Sequence, residues 1–437
     1  WRTIDGETIA PKGSPELETA IKGIFPKQTI LDILRHFVTF HPDGSNLNKK
    51  IPAYHQYHAA NKAYNSTLNR LNPSHTLTLT HTHTHTQKET SFPNSEKIGV
   101  IWHTQGSGKS LTMAFYAGKI AQSVAAQNPT IVVLTDRNDL DGQLFETFAA
   151  SKSLFRQTPL RAENRQHLKE LLKVASGGII FTTVQKFAPD DDTAEYEQLS
   201  DRRNIIFMAD EAHRSQYGLE AKVTNTPDGP KISYGFAKYL RDALPNALFI
   251  GFTGTPIEAD DRDTRQIFGD YLHIYDIQQA VEDRATVPIY YESRIVKLQL
   301  AAEEQPHIDA KFEEVTEAEE TTTKEKLERK WSQLQAVVGA PKRLEVVAAD
   351  IVSHFENRQK TLEGKATIVC MSRQICTDLY NAIVKLRPQW HDDDDDKGAV
   401  KIIMSGSAGD NSKWQRHIRK KSRREALAKR FKDPNDP

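Results

Sequence analysis

The residues best equipped for chemistry are a lysine in a glycine-rich loop and a pair of adjacent carboxylates. The loop reads His103-Thr104-Gln105-Gly106-Ser107-Gly108-Lys109-Ser110 and runs into the helical stretch Leu111-Thr112-Met113-Ala114-Phe115-Tyr116. Glycine at 106 and 108 lets the backbone turn its N–H groups toward phosphate oxygens, and the helix start adds the positive end of its dipole. The Lys109 ammonium can reach β- and γ-phosphates, and the Ser110 hydroxyl can ligate Mg²⁺. Gln105, Gly106, Ser107, Gly108, Lys109, Ser110 and Leu111 are therefore the expected nucleotide-binding residues. His103 stands where such loops usually open with glycine, yet the Gly-x-Gly-Lys-Ser core is intact.

The carboxylates follow the apolar run Ile205-Ile206-Phe207-Met208-Ala209, which reads as a buried strand ending in Asp210-Glu211-Ala212-His213. Asp210 at the strand's carboxyl end is placed to hold Mg²⁺ through water, and Glu211 to orient and activate an attacking water. Lys109, Asp210 and Glu211 are the expected catalytic groups. His213 is expected to link nucleotide state to the rest of the molecule. Phe252-Thr253-Gly254-Thr255-Pro256 also lies at a strand end, where the hydroxyls of Thr253 and Thr255 can bond back toward the carboxylates. Taken singly, these segments read as a glycine-rich turn, an ordinary histidine and a plain turn. In this order, each behind a strand, they reinforce one another.

The elements that must position them are legible between 97 and about 256. Apolar runs at Ile98–Trp102, Ile131–Leu134, Ile179–Phe181, Ile205–Ala209 and Leu248–Phe252 alternate with helical stretches. That alternation predicts an α/β fold, a parallel sheet with helices on both faces. Residues 1–70 read as mostly helical, with Leu31, Leu34 and Phe37-Val38 at helical spacing. Residues 71–95 form a low-complexity insertion in which threonine alternates with histidine. His81, His83 and His85 would share one face of a strand, but a solvated insertion is the plainer reading.

A second region begins near Pro288. It carries a strand candidate at Ile289–Leu300, a charged stretch over 302–330, a helix at 343–357, a strand at Thr367–Met371, a helix at 375–386 and a strand at Val400–Met404. These read as the start of another α/β domain. The expected division is thus 1–70, 71–95, 96–285 and 286–437. Asp392–Asp396 reads as an acidic loop tip. Arg416, Arg419, Arg423 and Arg424 form a basic helix candidate that either touches DNA phosphates or is simply solvated.

Lys and Arg together number 58, as do Asp and Glu, so nucleic-acid binding must come from local patches rather than net charge. Two cysteines supply neither a disulfide framework nor a four-ligand zinc site, which fits a reducing, cytoplasmic setting. No apolar run reaches membrane-spanning length, and the first residues carry no signal-peptide pattern.

Lysine loop, Asp-Glu-Ala-His and Thr-Gly-Thr-Pro in this order resemble a superfamily 2 helicase-type ATPase. More narrowly, Trp102–Ser110, Leu134-Thr135-Asp136-Arg137-Asn138-Asp139-Leu140-Asp141 and Asp210-Glu211-Ala212-His213-Arg214-Ser215-Gln216 resemble the motor (R) subunit of type I restriction–modification enzymes. The resemblance implies a RecA-like P-loop ATPase domain followed by an incomplete second RecA-like domain. It implies ATP and Mg²⁺ as cofactors, and translocation along double-stranded DNA beside specificity and methyltransferase subunits, with no membrane partner. It places Gln56, in Tyr54-His55-Gln56-Tyr57, at the adenine-reading position. It assigns Thr135, Arg137, Asn138, Thr182, Thr183 and Gln185 to the DNA backbone, and Thr253, Gly254 and Thr255 to coupling. The family's nuclease domain would precede Trp1 and its arginine finger would follow Pro437. The chain alone is therefore expected not to cut DNA, and to bind nucleotide better than it hydrolyses it. The rival readings are a remnant that binds nucleotide or partners without turnover, and a helicase of DNA repair.

Overall fold

A computed structural model of the protein describes residues 1–11, 13–43, 46–72, 96–135, 138–187, 198–212, 221–226, 229–234, 236–255, 264–265, 267–294, 338–406 and 410–436. The chain divides into two compact units, Trp1–Ile289 and Tyr290–Pro437.

The first unit is built on seven strands, β1 (Lys97–His103), β2 (Thr130–Thr135), β3 (Leu160–Arg161), β4 (Ile179–Thr183), β5 (Ile205–Ala209), β6 (Leu248–Thr253) and β7 (Tyr271–Tyr275). They form one sheet in the order β7-β1-β6-β5-β2-β4-β3, and every pairing is parallel. The reason lies in the side chains. Along β2, Ile131 and Val133 enter one apolar core while Val132 and Leu134 enter another. Along β5, Ile206 and Met208 face the first core, and Ile205, Phe207 and Ala209 the second. A strand apolar on both faces is stable only between two layers of helices, each fully buried side chain contributing roughly 1.5–3 kcal/mol.

Three helices of this unit matter for the site. Helix α1 (Tyr54–Leu71) and helix α2 (Lys109–Ala121) pack in the first core through Ala59, Ala60 and Ala63 against Met113, Phe115 and Tyr116. Helix α3 (Asn138–Ala150) covers β4 with Phe145 and Phe148 against Phe181. The expected five strands form. Two further ones join the sheet's edges: β3 is two residues long, and β7 alternates aromatic and apolar side chains. Residues 1–70 hold helices at Glu16–Ile24, Lys27–His36 and Tyr54–Leu71. They also hold an antiparallel hairpin, Thr39–Asp43 with Asn46–Lys50, within a stretch expected to be mostly helical. The Thr/His run at 76–86, with His81, His83 and His85, lies outside the described residues, as does the charged stretch 302–330.

In the second unit, helix α4 (Pro341–Gln359) packs on helix α5 (Arg373–Leu386). Leu344, Ala348 and Val352 meet Ile375, Leu379 and Ile383, each set repeating every four residues as helical packing requires. The strands expected at Thr367–Met371 and Val400–Met404 do not form. Among the described residues these segments have no ladder partner beyond an isolated bridge of Met404 with Ile418, and Val369 is 91% exposed. A run of β-prone residues becomes a strand only where a neighbour takes its N–H and C=O groups. Of the Ile289–Leu300 candidate, 289–294 is described and forms no strand.

The basic segment after 412 turns inward on the acidic loop. Arg419 Nε donates to both Asp395 oxygens at 2.8 and 2.7 Å, and Arg423 reaches Asp395 at 3.1 Å and Asp396 at 2.9 Å. Arg419 and Arg423 thus pair with aspartates of their own unit. Hydrogen bonding from Arg419 holds the Asp395 carboxyl down at about 2. A depressed carboxylate contributes stability that is present above its unfolded value of roughly 3.9 and is lost as pH falls toward the folded one. Carboxyl NMR should therefore find Asp395 titrating near 2. In Arg419→Leu its midpoint should rise toward the unfolded value, and an unchanged midpoint would contradict the pairing.

Candidate nucleotide site

The three chemical motifs, far apart in the chain, meet because β1, β6 and β5 are neighbours in the sheet. In a parallel sheet all carboxyl ends lie on one side, and ligands bind there. The glycine-rich loop leaves the end of β1, Gly254 follows β6, and Asp210-Glu211 follow β5.

The loop has the backbone a phosphate cradle needs. Gly106 and Gly108 sit at φ +85° and +82°, a left-handed conformation open to glycine but costly for other residues. Gly108 caps helix α2, whose first residue is Lys109. Ser107 is buried and its hydroxyl donates to Thr104 O at 2.6 Å. Gln105 and Gly106 are exposed, whereas Ser110 and Leu111 are half-buried at the helix start. Gly254 lies so close that a Cβ there would stand 3.4 Å from Gln105 N and 3.7 Å from Lys109 Nζ.

Lys109 spans the carboxylates. Its Nζ donates to Glu211 Oε1 at 2.9 Å and lies 3.2 Å from Asp210 Oδ1. Only 13% of the Lys109 side chain and 17% of that of Asp210 is exposed, so this charge pair is little screened by water. Burial pushes the Asp210 carboxyl up, and Lys109 opposes that shift. Glu211 adopts φ +49°, left-handed for a residue with a side chain. Non-glycine residues held there mark sites where surrounding structure fixes the backbone. The peptide after it is anchored, since Ala212 N donates to Phe252 O at 2.9 Å, and Asp210 N donates to Leu134 O at 3.0 Å. Thr255 N donates to Thr253 Oγ1 at 3.4 Å. His213 lies outside the described residues.

Gln56 reaches the same loop by an unexpected route. Its Oε1 accepts from Ala53 N at 2.9 Å and its Nε2 donates to Gly108 O at 3.1 Å. Both ends of the amide are thus taken by backbone. Its neighbour His55, which sequence reasoning left without a role, bonds Ser107 O at 3.0 Å through Nε2. His55 lies flat on Tyr275, with ring centroids 3.8 Å apart and planes inclined by 7°. Tyr275 donates to Asp283 at 2.9 Å, and Tyr54, Arg2 and Gln279 donate to the same carboxylate. Burial alone would raise the Asp283 carboxyl, but these donors outweigh it and hold it below the usual range. The one available signal was the alternation His273-Ile274-Tyr275, which puts His273 and Tyr275 on one face of a strand.

The residues expected to touch DNA fall at the ends of β2 and β4. Thr135, Thr182 and Thr183 are buried, and Thr135 Oγ1 points at Thr182 O, 3.4 Å away. Asn138 opens helix α3 and Gln185 lies in a short helical turn, but their side chains, and Arg137 entirely, lie outside the described residues.

The model of the SWI2/SNF2 ATPase family matches residues 55–326. The type I restriction enzyme HindI endonuclease subunit of Haemophilus influenzae is 45% identical over 443 aligned residues, which cover 100% of this chain and 39% of that protein. A chain of Methanocaldococcus jannaschii named as the MjaIXP endonuclease subunit is 36% identical over 97% of this chain and 36% of its own length. A solved fragment of an HsdR subunit from Vibrio vulnificus YJ016 aligns with 86% of this chain and 52% of that one at 15% identity and a TM-score of 0.41. The chain thus spans well under half the length of these curated relatives. It belongs to the SWI2/SNF2 ATPase family, and its relatives along nearly its whole length are endonuclease subunits of type I restriction enzymes.

Proposed function

We propose that the chain is the ATP-driven motor portion of a type I restriction enzyme, drawing double-stranded DNA past it beside specificity and methyltransferase subunits in the cytoplasm. The observation that carries this reading is Lys109 at the head of helix α2, bridging Asp210 and Glu211 across the mouth of a glycine cradle. A lysine that neutralises two carboxylates is poised to exchange them for phosphate oxygens. Glu211, released from it, is the group placed to orient and deprotonate water. Gly254, against both Gln105 and Lys109, is where a change at the loop reaches β6, and Thr253 and Thr255 extend that link.

The donor set fits Mg²⁺. Asp210 Oδ1 is buried beside the Lys109 ammonium, 3.2 Å away, and would be shared with the ion once Lys109 turns to phosphate. Ser110 at the helix start and Asp210 would hold the ion, which supplies neutralisation of phosphate charge. Two free cysteines, Cys370 and Cys376, suit a reducing compartment. No helix among the described residues is long and apolar enough to cross a membrane.

ATP turnover by the 437-residue chain, measured with duplex and with single-stranded DNA, tests this reading. Duplex should raise the rate more than single strands do. Greater stimulation by single strands would favour a strand-separating helicase, and binding without turnover would favour a nucleotide-binding remnant.

A further inference from the structure

The second side of the phosphate loop is held by a residue that the reading above leaves unused. Consecutive side chains on the first turn of helix α1 take consecutive loop carbonyls: His55 Nε2 bonds Ser107 O at 3.0 Å, and Gln56 Nε2 bonds Gly108 O at 3.1 Å. A carbonyl can only accept, so His55 carries its proton on Nε2. In a trans peptide the C=O and the following N–H point in opposite directions. Drawing the Ser107 carbonyl toward helix α1 therefore aims the Gly108 N–H away from it, whereas the Gly108 carbonyl also accepts from Leu111 N and Thr112 N and is oriented by helix α2 itself. The Gly108 N–H stands at the start of helix α2, where an anion binds.

His55 is itself fixed. It stacks on Tyr275, whose own carbonyl accepts from Thr104 N at 2.9 Å, so edge strand β7 grips the loop at both Thr104 and, through His55, Ser107. Asp283 anchors the tyrosine ring. On the other side His55 meets the edge of His103, which bonds His273 of β7 at 3.0 Å. Burial lowers the pKa of His55 and pushes that of His103 well down, so both rings stay neutral donors and acceptors rather than cations.

We infer that His55 is a positioning residue for nucleotide binding, orienting the Ser107–Gly108 peptide so that its N–H faces the phosphates. The inference rests on the nucleotide reading above. It is tested by calorimetric titration of the chain with ADP and Mg²⁺ in wild type, Lys109→Ala, His55→Leu and His55→Gln. Leucine fills the space without a donor, and the glutamine amide nitrogen reaches as far as Nε2. Loss of one buried hydrogen bond that orders the loop should weaken ADP by about tenfold in His55→Leu. His55→Gln should stay within about threefold of wild type, since the donor is kept. In turnover, the leucine variant should raise KM for ATP more than it lowers kcat. His55→Ala gives the same comparison if leucine disturbs folding, which circular dichroism reports. Equal affinity in wild type and both donor-free variants, with Lys109→Ala still impaired, would overturn the inference alone. So would equal weakening in the glutamine and leucine variants. A wild-type chain that binds no ADP, or binds it as well after Lys109→Ala, would overturn the nucleotide reading and this inference with it.

Discussion

Glu211→Gln should leave ATP bound and bring turnover down by about 10²–10⁴-fold, the usual contribution of a positioned general base. The amide keeps the size and one acceptor oxygen of the carboxylate, so it can still accept from the Lys109 ammonium, 2.9 Å away in the native chain, without the ion pair. What it cannot do is take a proton from water. The left-handed backbone at Glu211 and the bond from Ala212 N to Phe252 O fix where that side chain starts, so the variant should fold as the native chain does. The check is a paired measurement of ATP affinity and single-turnover hydrolysis. Unchanged hydrolysis would remove Glu211 from the chemistry. Loss of affinity equal to the loss of rate would make it a binding residue instead.

Lys109→Ala should act on affinity first. It removes the ammonium that meets both carboxylates and that would meet phosphate, a charge-assisted contact worth roughly 1.5–3 kcal/mol, or about ten- to a hundredfold in binding. A second consequence follows from burial. Asp210 loses the cation that opposes the upward push on its carboxyl, so its pKa should rise further. The unliganded variant should then gain stability as pH is lowered through the range where that carboxyl takes its proton, relative to wild type. Thermal melting across pH reads this directly. A variant that melts in parallel with wild type at every pH would mean that Asp210 does not depend on Lys109.

Much of the first unit was legible because its strands are apolar on both faces. Ile205–Ala209 has the bounds that its composition predicts, and β1, β2, β4 and β6 differ from expectation by one or two residues at their ends. The convergence of the three motifs followed from each closing a strand, since parallel strands bring their carboxyl ends together. What escaped was non-local or too short to show a period. Strand β3 is only Leu160–Arg161, and β7 mixes tyrosine and histidine at a sheet edge. The hairpin at 39–50 follows the helical spacing of Leu31, Leu34 and Phe37-Val38, within a stretch expected to be mostly helical. The grip of His55 on Ser107 joins residues 52 positions apart, which no local pattern announces. In the second unit the runs at Thr367–Met371 and Val400–Met404 carry the right residues for strands, but a ladder needs a partner as well as propensity. The basic segment was read as a helix by charge alone, but Arg416 and Arg419 lie between the helices Ser412–Gln415 and Lys421–Lys432. The aspartates that Arg419 and Arg423 meet lie more than twenty residues earlier, so their pairing became visible only in the folded unit.

The measurement that bears most directly on the central claim is steady-state ATP turnover by the chain in the presence of duplex DNA, wild type beside Lys109→Ala. A motor built on this loop should hydrolyse ATP at a slow rate that duplex raises, and the lysine variant should lose nearly all of that rate. Duplex-stimulated turnover that survives Lys109→Ala would contradict it, because the loop, its lysine and the carboxylates they face would then not be where ATP is spent.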